Sequence, residues 1–206
     1  MRFFKGGLPM KTFKTILFYI LSFTWGAITS IIGLLMVLGL LLVGYKPKRF
    51  NNRIYVSLGG YWGGMEMGPF FFTDGSPSLH IKQHESGHGI QNIILGPFML
   101  FVVAFPSCIR YWLRECRTMK AKYRYAIILS AITSLISLIL LIVGIFCNLL
   151  ALAIIGGLLL GYWIIIAIWL ILYEIPKYKT STPFYDDIWF EHSATKLGEK
   201  YYPEDK

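Results

Sequence analysis

His84-Glu85-Ser86-Gly87-His88 is the stretch of this chain whose residue types and spacing could by themselves do chemistry. On a helix, positions i and i+4 share a face, so both imidazoles can reach one metal ion. Glu85 follows the first imidazole by one residue, where it can hold and deprotonate a water without ligating the metal itself. His80 continues the i+4 series backwards. Three histidines in line on one helix, however, place the outer two more than ~10 Å apart, too far for one tetrahedral ion. His80 is therefore expected beside the site or at the surface. Gly87 and Gly89 each cost a helix about 1 kcal/mol relative to Ala, and together they predict the close approach of another backbone.

A catalytic zinc usually has three protein ligands. No histidine follows His88 at short spacing, so the third donor must come from further along the chain. Glu115 lies in a basic loop, where pairing with Arg explains it. Glu174 sits at the edge of an apolar block before Pro176. Glu191, flanked by Trp189 and Phe190 on a predicted amphipathic helix, has the most suitable setting, with His192 next. Asp186 or Asp187 is expected to cap that helix and Gly198 to stop it.

The elements that must position these groups are mostly apolar. The hydrophobic fraction is 55% and the charged fraction 15%, which is not the composition of a soluble domain. Residues 16–43 carry no charge, and neither do residues 125–173. A bilayer crossing takes about 20 apolar helical residues, so the second block predicts two helices joined by a tight turn near Cys147-Asn148. The first block predicts one long or tilted helix, or a short hairpin around Trp25-Gly26. Residues 1–15 form a basic lead-in. The apolar stretch after them is longer than a signal-peptide core of about 7–15 residues and has no convincing cleavage site, so it is expected to stay as an anchor.

Between these blocks, residues 54–73 mix aromatic and aliphatic residues with Gly-Gly pairs and predict a short β-hairpin. Its edge could hold an extended peptide by backbone pairing. The HExxH helix is expected over 78–95, capped by Ser76 or Ser78. Residues 96–109 contain Pro97 and Pro106 and are too short to cross, which predicts a broken or re-entrant segment. Residues 174–206 are soluble in character. The expected fold is an all-α polytopic membrane protein of one domain, 1–206, with about three transmembrane helices.

A net charge of +9 raises the question of nucleic acid. The cations instead cluster where apolar blocks end: Lys46, Lys48, Arg49 and Arg53, then Arg110, Arg114, Arg117, Lys120, Lys122 and Arg124. That is a positive-inside pattern, with membrane lipid as the partner, and no nucleic-acid motif accompanies it. Cys108, Cys116 and Cys147 are odd in number and lack C-x-x-C spacing, so free thiols are expected. The loop at 110–124 and the tail after 174 are joined by two crossings and share a side, which the charge bias makes cytoplasmic. A re-entrant 93–109 segment would put the HExxH helix on that same side, within reach of Glu191.

His84-Glu85-x-x-His88, followed by two spanning helices and then Glu191-x-x-Ala194-Thr195-Lys-Leu-Gly198, resembles the membrane-integral gluzin metallopeptidases of the HtpX and CAAX prenyl endopeptidase kinds. It is also similar to bacterial membrane proteins that share an H-E-x-G-H string. The resemblance covers about a third of the chain. It implies a Zn2+-dependent metalloendopeptidase of a bacterial-type cytoplasmic membrane, with His84, His88 and Glu191 as metal ligands and Glu85 as general base. Its substrates would be membrane proteins or hydrophobic peptides. Where those families carry an aspartate after the glutamate ligand, this chain has Thr195, so a ligand histidine must be oriented by another group, with Asp186 or Asp187 as candidates. For the oxyanion, His192, Tyr185 and Arg110 are candidates. The alternative is a non-enzymatic membrane protein, for immunity or partner binding, that uses the His/Glu cluster structurally.

Overall fold

A computed structural model describes residues 10–203, so the start of the basic lead-in lies outside the described residues. The described residues fall into two compact units. One runs to Ala104 and resumes at Tyr185, and the other is Phe105–Phe184.

The first unit opens with two helices, α1 (Met10–Thr24) and α2 (Ala27–Leu42), bent by 96° at Trp25-Gly26. The uncharged block is thus neither one straight helix nor a hairpin. Ser30 explains part of the bend, because its hydroxyl donates to the carbonyls of Ser22 (2.7 Å) and Gly26 (2.9 Å) across the break. The bond to Ser22 satisfies a carbonyl at the end of the interrupted helix, while the Gly26 carbonyl also accepts from the Ser30 amide at 3.2 Å.

The expected hairpin is a four-stranded sheet, and this corrects the all-α reading. Strands β1 (Lys48–Phe50), β2 (Arg53–Ser57), β3 (Gly64–Met67) and β4 (Phe70–Thr73) lie in the order β1-β2-β4-β3. β2 pairs parallel to β4, with Val56 opposite Phe72, while β3 pairs antiparallel to β4. Gly59, Gly60 and Gly63 all have positive φ and let the connection loop outward, so that β4 rather than β3 returns beside β2. β3 is left on an edge. Val56, Phe70 and Phe72 pack with Val37 of α2 to form the unit's apolar core.

Ser78 caps α3 (Leu79–Leu95), accepting a hydrogen bond from the Ile81 amide at 3.2 Å. The helix ends at Gly96, and a 3₁₀ turn (Gly96–Phe98) and a π-helical stretch (Leu100–Ala104) follow. The Gly96-Pro97 segment is therefore broken, as its prolines imply. The last helix of the chain, α8 (Trp189–Tyr201), crosses α3 closely. A Cβ on Gly87 would collide with the Ala194 carbonyl oxygen, and one on Gly198 with the Gln83 carbonyl. Gly198 was expected as a helix stop, but α8 runs on to Tyr201. That glycine serves the helix crossing instead. Nor do Asp186 or Asp187 cap α8: Ile188 occupies the cap position and makes no side-chain bond there.

The second unit holds α4 (Phe105–Glu115), α5 (Met119–Phe146) and α6 (Leu150–Trp169). α6 continues through a π-helical turn (Leu170–Glu174) into the short α7 (Ile175–Lys177). Thr118 caps α5 by accepting from the Ala121 amide at 3.1 Å, and Asn148, with φ of 55°, makes the turn between α5 and α6. Small residues let these two helices touch: a Cβ on Gly144 would meet Ala153, and one on Gly156 would meet Leu141. Met119–Phe146 and Leu150–Lys177 are each long and apolar enough to cross a membrane, with 11% of the apolar window buried in each. Exposed apolar surface on that scale is foreign to a helix in water. All three cysteines are free thiols.

Helix propensity and packing make opposite predictions at Gly87. Propensity favours Ala by about 1 kcal/mol, while forcing a methyl into the Ala194 carbonyl costs about 1–3 kcal/mol. Because a backbone carbonyl cannot rotate away, Gly87→Ala is expected to lower the melting temperature of the detergent-solubilised protein. Gly39→Ala on α2, where a Cβ meets nothing within 4 Å, should raise it. Equal behaviour of the two variants in a thermal melt would refute the close crossing.

Candidate functional site

Because α8 crosses α3 at Gly87, Glu191 lies over the two histidines. Glu191 Oε2 is 3.2 Å from His84 Nε2 and 3.1 Å from His88 Nε2, and the two Nε2 atoms are 3.1 Å apart. All three side chains are buried. Three donor atoms on a tetrahedral zinc with bonds of about 2.0–2.1 Å stand roughly 3.3 Å apart, so this triangle is close to the size that such an ion needs. Among the described residues this is the one group of three or more His, Cys, Asp or Glu able to hold a metal.

The hydrogen bonds behind the histidines fix which nitrogen carries the proton. Thr195 spends its single hydroxyl proton on Asp186 Oδ2 at 2.9 Å. Its oxygen must therefore accept from His84 Nδ1–H, 2.8 Å away. Gln91 Nε2 donates to the Phe190 carbonyl and to Ser193 Oγ, both at 2.6 Å, which sets the amide's orientation. Gln91 Oε1 then accepts from His88 Nδ1–H at 2.7 Å. Both Nε2 atoms are left as bare lone pairs facing each other and a carboxylate oxygen. Three acceptors at contact distance repel one another unless a cation or a proton sits among them. Burial opposes charge on His88, yet the hydrogen bond and charge of Glu191 raise its pKa to about 9, which is the proton form of the same requirement.

Glu85 is buried beside this triangle, against the backbone of β3. A Cβ on Gly64 would stand 2.5 Å from Glu85 Oε1. Burial raises the Glu85 carboxyl above the usual range, against the downward pull of His84 and His88. A base poised nearer neutrality is what proton transfer at pH 7 needs.

Behind α3 lies a group that sequence reasoning missed. Arg53 is fully buried and its guanidinium fills the space that Gly89 leaves open. It donates to the carbonyls of Glu85 (3.1 Å) and Ser86 (2.9 Å), to that of Gly68 in the β3–β4 turn, and to Glu66 Oε1 at 3.4 Å. The Glu66 side chain is buried too, and desolvation outweighs Arg53 and raises its carboxyl to about 7. In the sequence Arg53 closes a basic cluster. Its place at the start of an alternating strand was the available signal that it points inward.

The remaining candidates separate cleanly. His80 is exposed, with its ring centroid 6.3 Å from that of His84, and His192 is exposed on α8 and is not in the cluster that Glu191 joins. Neither is a ligand. Asp187 is exposed, while Asp186 is the carboxylate that orients His84 through Thr195. Tyr185 places its ring 6.4 Å from the His84 ring. Within the other unit, Glu174 is buried and taken by Arg110 Nε at 2.8 Å and Lys177 at 3.1 Å, which accounts for both Glu174 and Arg110. Glu115 is exposed.

No family model, curated protein or solved structure matches this chain. What the fold and site define is a helical protein with a small mixed sheet, two helices fit to span a membrane, and a buried His/His/Glu cluster suited to a metal.

Two measurements test this geometry. If the cluster takes up added zinc, Thr195→Val, which breaks the relay from His84 to Asp186, should weaken that uptake about 10- to 100-fold, with Asp186→Asn doing the same and the double variant adding little. Additive losses in competition titrations would mean that the two residues act separately. The second concerns Glu66. Its folded pKa lies above the unfolded value, so its stabilising contribution is complete below about pH 4.5 and fades as pH rises through about 7. Glu66→Gln should therefore flatten the loss of stability across that window, and an unchanged slope in chemical denaturation would count against its burial.

Proposed function

We propose that this protein is a membrane-integral zinc metalloendopeptidase. One observation carries the reading: the lone pairs of His84 Nε2, His88 Nε2 and Glu191 Oε2 converge within 3.2 Å, with Glu85 buried beside them. A proton shared between His88 and Glu191 would also hold these atoms together, since Glu191 raises the His88 pKa to about 9. A metal would use the same three donors and would in addition give the buried Glu85 beside them a bound water to act on. The donor set of two imidazoles and a carboxylate suits zinc, which supplies Lewis acidity, making water acidic near neutral pH and polarising a carbonyl.

The chain's own residues then divide the work. His84, His88 and Glu191 hold the ion. Thr195 with Asp186, and Gln91, keep the imidazoles in the tautomer whose Nε2 can ligate. Glu85 takes the proton of the attacking water and returns it to the leaving amine. The edge strand β3, whose Gly64 touches the Glu85 side chain, is placed to hold a substrate extended by backbone pairing. The absence of a side chain at Gly64 brings that backbone against the base.

The reading includes location. α5 and the α6–α7 helix cross the cytoplasmic membrane, and the basic ends of both face the cytoplasm. The meeting of Glu191 with the histidines supports a site on that side, and substrates drawn from membrane proteins or hydrophobic peptides follow from it.

Glu85→Gln keeps the size of the side chain and removes the base. The variant should retain zinc at the wild-type ratio by elemental analysis while hydrolysis of a membrane-protein substrate falls by roughly 10²- to 10⁴-fold. Cleavage undiminished in that variant, or wild type that binds no divalent metal, would rule the reading out.

A further inference from the structure

Along the first turns of α5, Lys120, Tyr123, Arg124, Ile127 and Ile128 fall on one helix face and line an open hollow of about 410 Å³. Lys120 and Arg124 are exposed and paired with no acid among the described residues. Like charges four residues apart on a helix repel each other. Directly below them, Ile127 and Ile128 are 56% and 51% exposed, and the same face continues through Ile132, Leu135, Ile136 and Ile139, each at least half exposed. The face is thus cationic at one end and apolar for the rest of its length, with a tyrosine at the change.

We propose that this face of α5 binds an anionic glycerophospholipid. Lys120 and Arg124 hold its phosphodiester, Tyr123 sits at the polar–apolar boundary, and an acyl chain lies along Ile127 and Ile128. The inference rests on α5 spanning the membrane and is independent of the peptidase chemistry. Two observations select the occupant. Unpaired cations call for an anion, and Arg forms the paired N–H bonds that a phosphate accepts. The apolar stripe running on beneath them matches a ligand whose charged head carries a long hydrocarbon tail. A soluble anion would leave the stripe unused, and an apolar peptide would leave the charges unpaired. Aromatic residues at such a boundary are favoured by headgroup-level packing.

The test uses the full chain in mild detergent and a fluorescent short-chain phosphatidylglycerol, with binding read by anisotropy. The wild type should bind this probe more tightly than its phosphatidylcholine counterpart. Because each charged contact to the phosphodiester is lost outright, Lys120→Gln with Arg124→Gln should weaken it by at least about tenfold. Arg117→Gln with Lys179→Gln removes the same charge from exposed positions of the same unit and should leave the affinity unchanged. Equal losses in the two double variants would show diffuse attraction and overturn the site. So would equal affinity for the phosphatidylcholine probe, or displacement of the lipid from the wild type by inorganic phosphate, which would mark a soluble-anion site.

Discussion

The contact on which the site depends is the crossing of α3 and α8 at Gly87 and Gly198. Each glycine faces a backbone carbonyl of the other helix so closely that no side chain fits between. That proximity is what lets a glutamate carboxylate span from α8 to two imidazoles on α3 at 3.1–3.2 Å. With ordinary residues at the crossing, helix axes stand 8–10 Å apart, and a glutamate would have to reach further across. The loss of helix propensity at Gly87 is thus the local cost of a short interhelical distance.

A second constraint follows from the same crossing. Buried polar groups need partners, and here the partners come from the opposing helix: Thr195 and Ser193 of α8 and the Phe190 carbonyl bind groups of α3. Each bond serves two purposes. It satisfies a buried donor or acceptor, and it fixes an imidazole tautomer so that Nε2 faces Glu191. Thr195 supports His84 at one remove, because the threonine hydroxyl hands the interaction on to Asp186.

Arg53 supplies the support on the other face of α3. Its guanidinium binds two consecutive carbonyls of the HExxH helix and the β3–β4 turn together, and it contacts the rings of Phe18 and Phe71. One side chain thereby ties helix α1, the sheet and the histidine-bearing helix α3 into a single arrangement. Burying that charge is tolerable because carbonyl oxygens surround it and Glu66 lies beside it. The edge strand that carries Glu66 also carries Gly64, so the position of β3 relative to Glu85 is set through the same guanidinium.

Much of this was legible in the linear chain. The i, i+4 histidines with an adjacent Glu, the glycine at 87 that forecast a close backbone, the uncharged blocks and the suitability of Glu191 are all local patterns with a period or a composition to read, whereas Gly89, expected to meet a backbone too, makes room for the Arg53 side chain. The sheet was only half visible: alternation revealed strands, but not that β4 would lie parallel to β2, because that pairing is made by a loop of positive-φ glycines and not by either strand. The role of Arg53 was hidden in a run of surface-like cations, since burial of a charge is decided by what surrounds it in three dimensions. Asp186 and Gly198 read as helix punctuation and became, respectively, an orienting carboxylate and a packing surface. Sequence alone fixed which groups could bind a metal, because ligand chemistry belongs to the side chain. Only the tertiary structure decided which of them meet, because convergence depends on an interhelical distance that no local pattern encodes.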